Sequence, residues 1–309
     1  MDRRTFLKSS AALAALTPLA LGAAEPAATP AKKAAKSRSN KKAFMWGTLG
    51  GKTAAALSVR EKFQLLHDAG FAGVEVNSAM NQAEVLAARD ATGLAIPSVC
   101  ISTHWAKPLS DPTPTARQVG LDGLLQGLRD AKAYGASSVL LVPAVVKKDV
   151  SYTDAYTRSI AEIKKAVPLA EELGVAIVIE NVWNQFLLSP LEAAAYVDSF
   201  KSPQVRWHFD VGNVVNTGFP EQWIRTLGSR IAKIHVKEFS RKLRDEKGPR
   251  FGFQCELMTG DSDWPAVMTA LDEVGYSGWL IAEQYRPPEI SDADWLGGLS
   301  QKLDQIIAC

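Results

Sequence analysis

The sequence predicts an α/β fold, a single-domain (β/α)8 TIM barrel, and three observations carry that expectation. Short apolar runs alternate with amphipathic stretches about eight times between Ala43 and Cys309, the number and order of units such a barrel needs. Several amphipathic stretches stop at a glycine, the residue that most readily ends a helix. The last four apolar runs each finish on a polar side chain, Glu180, Asp210, His235 and Glu283. Strands packed on both faces have no reason to end that way unless something binds there.

The first run, AFMWGTL at 43–49, leads to a helical pattern through Phe63, Leu65 and Leu66 that stops at Gly70. GVEVN at 73–77 reads as the second strand and precedes a helix over 83–92, closed by Gly93. IPSVCIS at 96–102 is the third strand, followed by a long loop and a helix over 116–134 that Gly135 ends. SSVLLVP at 137–143 is the fourth, and the helix after it, over 152–173, ends at Gly174. VAIVIE at 175–180, VRWHFD at 205–210, RIAKIH at 230–235 and GWLIAE at 278–283 supply the remaining strands. Helices over 190–200, 220–227, 264–274 and 292–307 lie between and after them. A doubly wound open sheet is the runner-up, but GTLGGK at 47–52 lacks the spacing of a dinucleotide or phosphate loop.

Ahead of the barrel, Asp2-Arg3-Arg4-Thr5-Phe6-Leu7-Lys8 and the apolar stretch 11–24 read as a twin-arginine signal peptide over residues 1–24, cleaved near Glu25. The expectation is a periplasmic or exported protein that uses the twin-arginine export machinery and keeps no stable membrane span after cleavage. An uncleaved amphipathic anchor is the alternative. Residues 25–42, rich in Ala, Pro and Lys, read as a disordered linker, and 43–309 as the barrel.

Of the chain's 35 basic and 33 acidic residues, nine basic and two acidic ones precede Ala43, which leaves the barrel with a formal net charge of −5. That balance argues against a nucleic-acid surface. Cys100, Cys255 and Cys309 are too few for a disulfide scaffold and are not spaced as a zinc knuckle, and Cys100 reads as a buried, inert thiol.

In a barrel the carboxyl ends of the strands share one face, so Glu180, Asp210, His235 and Glu283 converge there. Three carboxylates and one imidazole make a hard, oxygen-rich set suited to one divalent metal. Mn2+ or Mg2+ comes first, with Co2+ or Zn2+ as alternatives, and copper or iron-sulfur chemistry is disfavoured.

Six segments carry a resemblance: VEVN at 74–77, IPSVCISTHWAKPL at 96–109, IEN at 179–181, HFDVGN at 208–213, IHVKEF at 234–239 and GYSGWLIAE at 275–283. Together they resemble the xylose-isomerase-like superfamily of sugar isomerases, epimerases and apurinic-type endonucleases, with motifs most similar to the L-ribulose- and L-xylulose-5-phosphate 3-epimerases. The resemblance implies that Glu180, Asp210, His235 and Glu283 bind the metal. It also implies that Glu180 and Glu283 are the catalytic pair, exchanging protons with the carbon next to a sugar carbonyl. A metal that holds the carbonyl and a neighbouring hydroxyl would stabilise the charge so formed. Removal and return on opposite faces gives epimerisation, and return to the neighbouring carbon gives isomerisation.

Further positions follow. His104 contacts sugar hydroxyls or a leaving oxygen in the resemblance, or is a plain loop histidine. Glu75 contacts substrate from the second strand, or makes a stabilising hydrogen bond inside the barrel. Asn181 and Lys237 support the ligands or touch substrate, and His208 lines the pocket or packs in it. Asn213 stands where many members carry a second histidine, so one metal is expected. Trp46, Trp105 and Trp183 follow the first, third and fifth strands and suggest an aromatic wall for a sugar ring. Where phosphosugar enzymes of the family carry Gly-Glu-Gly, this chain has Gly260-Asp261-Ser262-Asp263-Trp264, two acidic residues that would repel a phosphate. The basic stretch between Lys237 and Arg250 reads as a solvated loop. The leading function is a metal-dependent isomerase or epimerase of a ketose or keto-sugar. The alternatives are a 3-keto-glycoside lyase on the same site, an apurinic-type endonuclease and a non-catalytic sugar-binding protein. The small-molecule partner is a sugar in the first two readings, and homo-oligomerisation stays open.

Overall fold

The computed structural model describes residues 38–50 and 52–309, the side chains of Lys52 and Thr53 excepted. The twin-arginine segment over 1–24 and the linker as far as residue 37 lie outside the described residues. Eight parallel strands close into a barrel in sequence order. They are β1 (Lys41–Met45), β2 (Gly73–Asn77), β3 (Val99–Cys100), β4 (Ser138–Leu141), β5 (Ala176–Glu180), β6 (Val205–Asp210), β7 (Ile231–Val236) and β8 (Trp279–Ala282). Closure is made by β1 against β8, with Phe44 beside Ala282 and Lys41 beside Trp279.

The expected linker therefore ends too late: Lys41 and Lys42 belong to the first strand. Their charge breaks the apolar pattern that marks a strand, and the barrel absorbs both. Lys42 Nζ reaches Asp304 and Ser300 Oγ at 2.8 and 2.9 Å, and the Lys41 ammonium lies 5.5 Å from the Trp279 ring centre. Ahead of them, Arg38 makes a two-pronged pair with Asp272 at 2.8 and 2.9 Å. The other end of the first run is also shorter than expected, because Trp46–Thr48 turns into a 3-10 helix after Met45. In the third run Pro97 supplies no ladder N–H, and regular pairing is confined to Val99 and Cys100.

Eleven helices surround the barrel among the described residues: α1 (Lys52–Ala56), α2 (Val59–Asp68), α3 (Gln82–Thr92), α4 (Pro114–Tyr134), α5 (Tyr152–Leu173), α6 (Pro190–Asp198), α7 (Val211–Val215), α8 (Pro220–Leu227), α9 (Arg241–Lys247), α10 (Trp264–Glu273) and α11 (Asp292–Ala308). The glycine stops of α4 and α5 hold: Gly135 and Gly174 adopt left-handed φ values of 75° and 66°. The basic stretch expected as a loop contains α9, whose Ser240 cap accepts from Leu243 N. None of the described helices is long and apolar enough to cross a membrane.

Strand alternation divides the interior. Phe44, Val76, Ile177, Trp207, Phe209, Ile234 and Leu280 join the main core with the helices. Cys100, Leu140, Ala176 and Val178 form a small separate cluster inside the bore. The bore also holds the buried polar residues Glu75, His208 and Lys233, an arrangement that sets polar groups directly beneath the strand ends.

Candidate metal centre and substrate cavity

Neighbouring strands bring the four strand-end residues together. Glu180 is the last residue of β5 and Asp210 the last of β6, Asp210 is in register with His235 on β7, and Glu283 directly follows β8. One ligand atom from each lies within 4.8 Å of the others. Around His235 Nδ1 stand Glu180 Oε1 at 2.8 Å, Glu283 Oε2 at 3.1 Å and Asp210 Oδ2 at 4.0 Å.

The electrostatics are those of a site short of positive charge. Burial pushes the Asp210 carboxyl well above its ordinary range, and Glu283 and Glu180 add to that while Lys237 opposes it. Burial also raises Glu180, against the pull of His235. For Glu283 burial acts in the same direction, but Lys237 and His235 outweigh it and hold the group below its usual value. The imidazole of His235 is raised well above normal because Glu180 and Glu75 overcome its desolvation. Three buried carboxylates facing one imidazole nitrogen fit a hard divalent cation. A second feature fits as well: His235 Nε2 lies 3.0 Å from Glu75 Oε1. A carboxylate on the far nitrogen fixes the imidazole so that Nδ1 faces the other ligands.

The expected substrate contacts divide into two groups. His104, Trp105, Trp183, Asn213 and Lys237 line one cavity of about 1160 Å3, with Glu180 and Glu283 at its floor. Asp210 and His235 are fully buried beneath. Within the cavity, Lys237 Nζ sits 2.5 Å from Glu283 Oε1 and 3.5 Å from Asp210 Oδ2. His104 Nδ1 accepts from Val142 N at 3.2 Å, so the neutral ring carries its proton on Nε2. Burial lowers the His104 pKa to about 4.

Glu75, His208, Asn181 and Trp46 lie off the cavity wall; for the first three this is the structural alternative that the sequence left open, whereas Trp46 does not join the expected aromatic wall. Glu75 is spent on His235. The ring of His208 packs edge-on at 4.0 Å from that of His235, and both its nitrogens are buried without a hydrogen-bond partner among the described residues. Asn181 brackets the end of β6: Nδ2 donates to Asp210 O at 2.7 Å, while Oδ1 accepts from Asp210 N and Trp207 Nε1. Trp46 packs on Phe63 with Lys62 over its ring, because the chain turns away after Met45. The acidic pair expected to repel phosphate also faces elsewhere: Asp261 accepts from Arg241 N at 2.7 Å and Asp263 caps α10.

Two further residues shape the cavity, Glu238 within the IHVKEF segment and Gln284 just after GYSGWLIAE. Buried Glu238 accepts from Met258 N and Trp264 Nε1 through Oε2 and from Ser262 N through Oε1. Gln284 accepts from Glu238 N and donates to Cys255 O. Together they pin the segment that walls the cavity with Cys255 and Leu257. Their only signal in the sequence is position, one residue past Lys237 and one past Glu283.

Comparison with known proteins agrees with this architecture. A model of the xylose isomerase-like TIM barrel family matches residues 63–303. The chain is 24% identical over 195 residues to L-ribulose-5-phosphate 3-epimerase of Escherichia coli O1:K1, covering 63% of this chain and 66% of that protein, just short of two thirds of its length. It is 24% identical over 225 residues to the protein of the same name from Salmonella paratyphi A, covering 70% and 76%. Among solved structures, D-allulose 3-epimerase from Methylomonas sp. superposes with a TM-score of 0.70 at 18% identity, over 88% of this chain and 99% of that one. The 3-keto-D-glucoside 4-epimerase from E. coli gives 0.71 at 15% identity, over 87% and 100%. At such identities the structural likeness speaks for the fold, while the family match extends over most of the sequence and takes in all four strand-end residues. The chain belongs to the xylose isomerase-like TIM barrel family.

Proposed function

We propose that the protein is a divalent-metal-dependent sugar isomerase or epimerase that moves a proton on the carbon next to the carbonyl of a ketose or keto-sugar. The observation that carries this reading is the division within the cluster: of the four clustered side chains, Glu180 and Glu283 line the cavity. Glu180, Asp210, His235 and Glu283 would hold the cation, Mn2+ first by the hardness of the donors. When bound, that cation supplies Lewis acidity toward the substrate carbonyl and its neighbouring hydroxyl.

The residues of the chain supply the rest. Lys237 and His235 lower the proton affinity of Glu283, whereas burial raises that of Glu180 until a cation is bound beside it. Two carboxyls pushed in opposite directions make a natural acid and base, their roles exchanging in the reverse reaction. His104 offers an uncharged Nε2–H donor to a sugar oxygen, and Trp183 and Phe253, with ring centres 4.9 Å apart, wall one side. The leader, read as an export signal, assigns the enzyme to the periplasm or beyond.

The test is proton exchange. Mn2+-loaded protein incubated with a panel of ketoses in D2O should place deuterium on the carbon next to the carbonyl. Glu180→Gln and Glu283→Gln should each slow that exchange by about 100-fold or more while circular dichroism shows a folded barrel. Absence of exchange across the panel with metal bound would sink the proposal.

A further inference from the structure

We infer that the substrate is a glycoside: the keto-sugar reacts at Glu180 and Glu283, and a second ring, joined to it through the glycosidic oxygen, fills the outer part of the same cavity. This rests on the proton-transfer reading and adds a binding subsite to it. The first support is size. A cavity of about 1160 Å3 exceeds the range of about 300–1000 Å3 that buries most of a drug-sized ligand. One sugar ring would occupy only its inner end.

The second support is the wall. Aromatic side chains reach the cavity from four separate segments above the strand ends: Trp105 after β3, Trp183 after β5, Phe253 between β7 and α10, and Tyr285 after β8. Trp105 and Tyr285 remain 53% and 61% exposed. Large aromatic rings left in water around one opening mark a binding surface, and their flat faces suit the C–H face of a sugar or an aryl ring.

The third support is charge. Four cations line the cavity, and three are engaged: Lys237 with Glu283 and Asp210, Lys302 with Glu256, and Arg286 with Asp292. Only Arg250 has no ion pair among the described residues. A phosphate group draws its affinity from several convergent charged donors, so the outer space suits an uncharged ring better than the phosphate of a sugar phosphate.

The experiment compares four probes on the metal-loaded full chain: the methyl and phenyl glycosides of one keto-sugar, a disaccharide containing it, and its phosphate. Deuterium exchange gives kcat/KM, and tryptophan fluorescence gives Kd. The expected result is a kcat/KM about tenfold higher for the phenyl glycoside or the disaccharide than for the methyl glycoside, as stacking on aromatic walls implies. Whichever of the two gains more tells an aryl ring from a second sugar. Tyr285→Ala and Trp105→Ala should each shrink that preference. Equal values for the methyl and two-ring probes overturn the subsite, as does a preference for the phosphate. Failure of exchange with every probe condemns the proton-transfer reading alone. The fluorescence titration then decides the subsite, with tighter binding of two-ring probes sustaining it and equal binding overturning it.

Discussion

His104 shows how one buried residue ties the site to stability. Its ring is 6% exposed and its pKa is lowered from 6.5 to about 4 by burial, so the folded protein keeps it neutral where an unfolded chain would protonate it. As pH falls below about 6.5 the unfolded chain takes up a proton that the folded one refuses until about pH 4. Stability is therefore full above that window and declines through it, by about 3 kcal/mol in all. Other groups titrate in the same range, so the measurement is a difference. Urea unfolding of wild type and His104→Asn between pH 7 and 4 should show a steeper loss in the wild type, and parallel curves would refute the assignment. His104 was legible as a cavity residue because it follows the third apolar run and matches a histidine of the family pattern. For Glu75 and Asn181 the sequence left two roles open, because each is decided by a partner far along the chain: His235 across the bore for one, Asp210 and Trp207 on neighbouring β6 for the other.

At the scale of the element, α4 governs where His104 and Trp105 sit. One side of this helix carries Gly120, Gly123 and Gly127. Added Cβ atoms there would lie 2.3 Å from Lys107 O, 2.1 Å from Thr103 Oγ1 and 2.2 Å from Ile101 Cδ1. The absence of side chains lets the helix lie against the segment over 101–107, and Ser110 then ties that segment to Val145, whose N–H it accepts at 3.0 Å. Gly120→Ala meets backbone rather than a flexible side-chain end, so it should cost about 1–3 kcal/mol and raise KM through displacement of Trp105. Gly297→Ala on α11 is the informative contrast. It has nothing within 4 Å, and its gain in helix propensity should stabilise by about 0.5–1 kcal/mol. Calorimetry should thus give melting temperatures that move in opposite directions, and a neutral Gly120→Ala would disprove the tight packing. Helix stops were readable in the sequence because glycine marks them. This packing was not, since glycines inside a helix announce neither their face nor their neighbour.

For the whole molecule, the barrel depends on closing β1 against β8, and the charged residues that begin β1 take part in that closure. The eight-unit order and the convergence of four strand ends followed from alternation and from polar residues terminating apolar runs, both of which are local patterns. The start of the barrel did not, because Arg38, Lys41 and Lys42 look like tether when read alone and find their partners more than 200 residues away. Arg38 joins Asp272 and also donates to the carbonyls of Ile307 and Cys309, tying the first strand to α10 and the end of α11. Truncation separates the two readings. A chain beginning at Arg38 retains these bonds, whereas one beginning at Ala43 loses them together with the pairing of Lys41 and Lys42 on β8. Hydrogen bonds to charged groups contribute about 1.5–3 kcal/mol each when well made, and 1 kcal/mol shifts the melting temperature of a domain this size by about 2–4 °C. The shorter chain should therefore melt at least about 5 °C lower than the longer one, with weakened metal binding, because Glu283 directly follows the strand that β1 supports. Equal melting temperatures would mean that the barrel closes without residues 38–42.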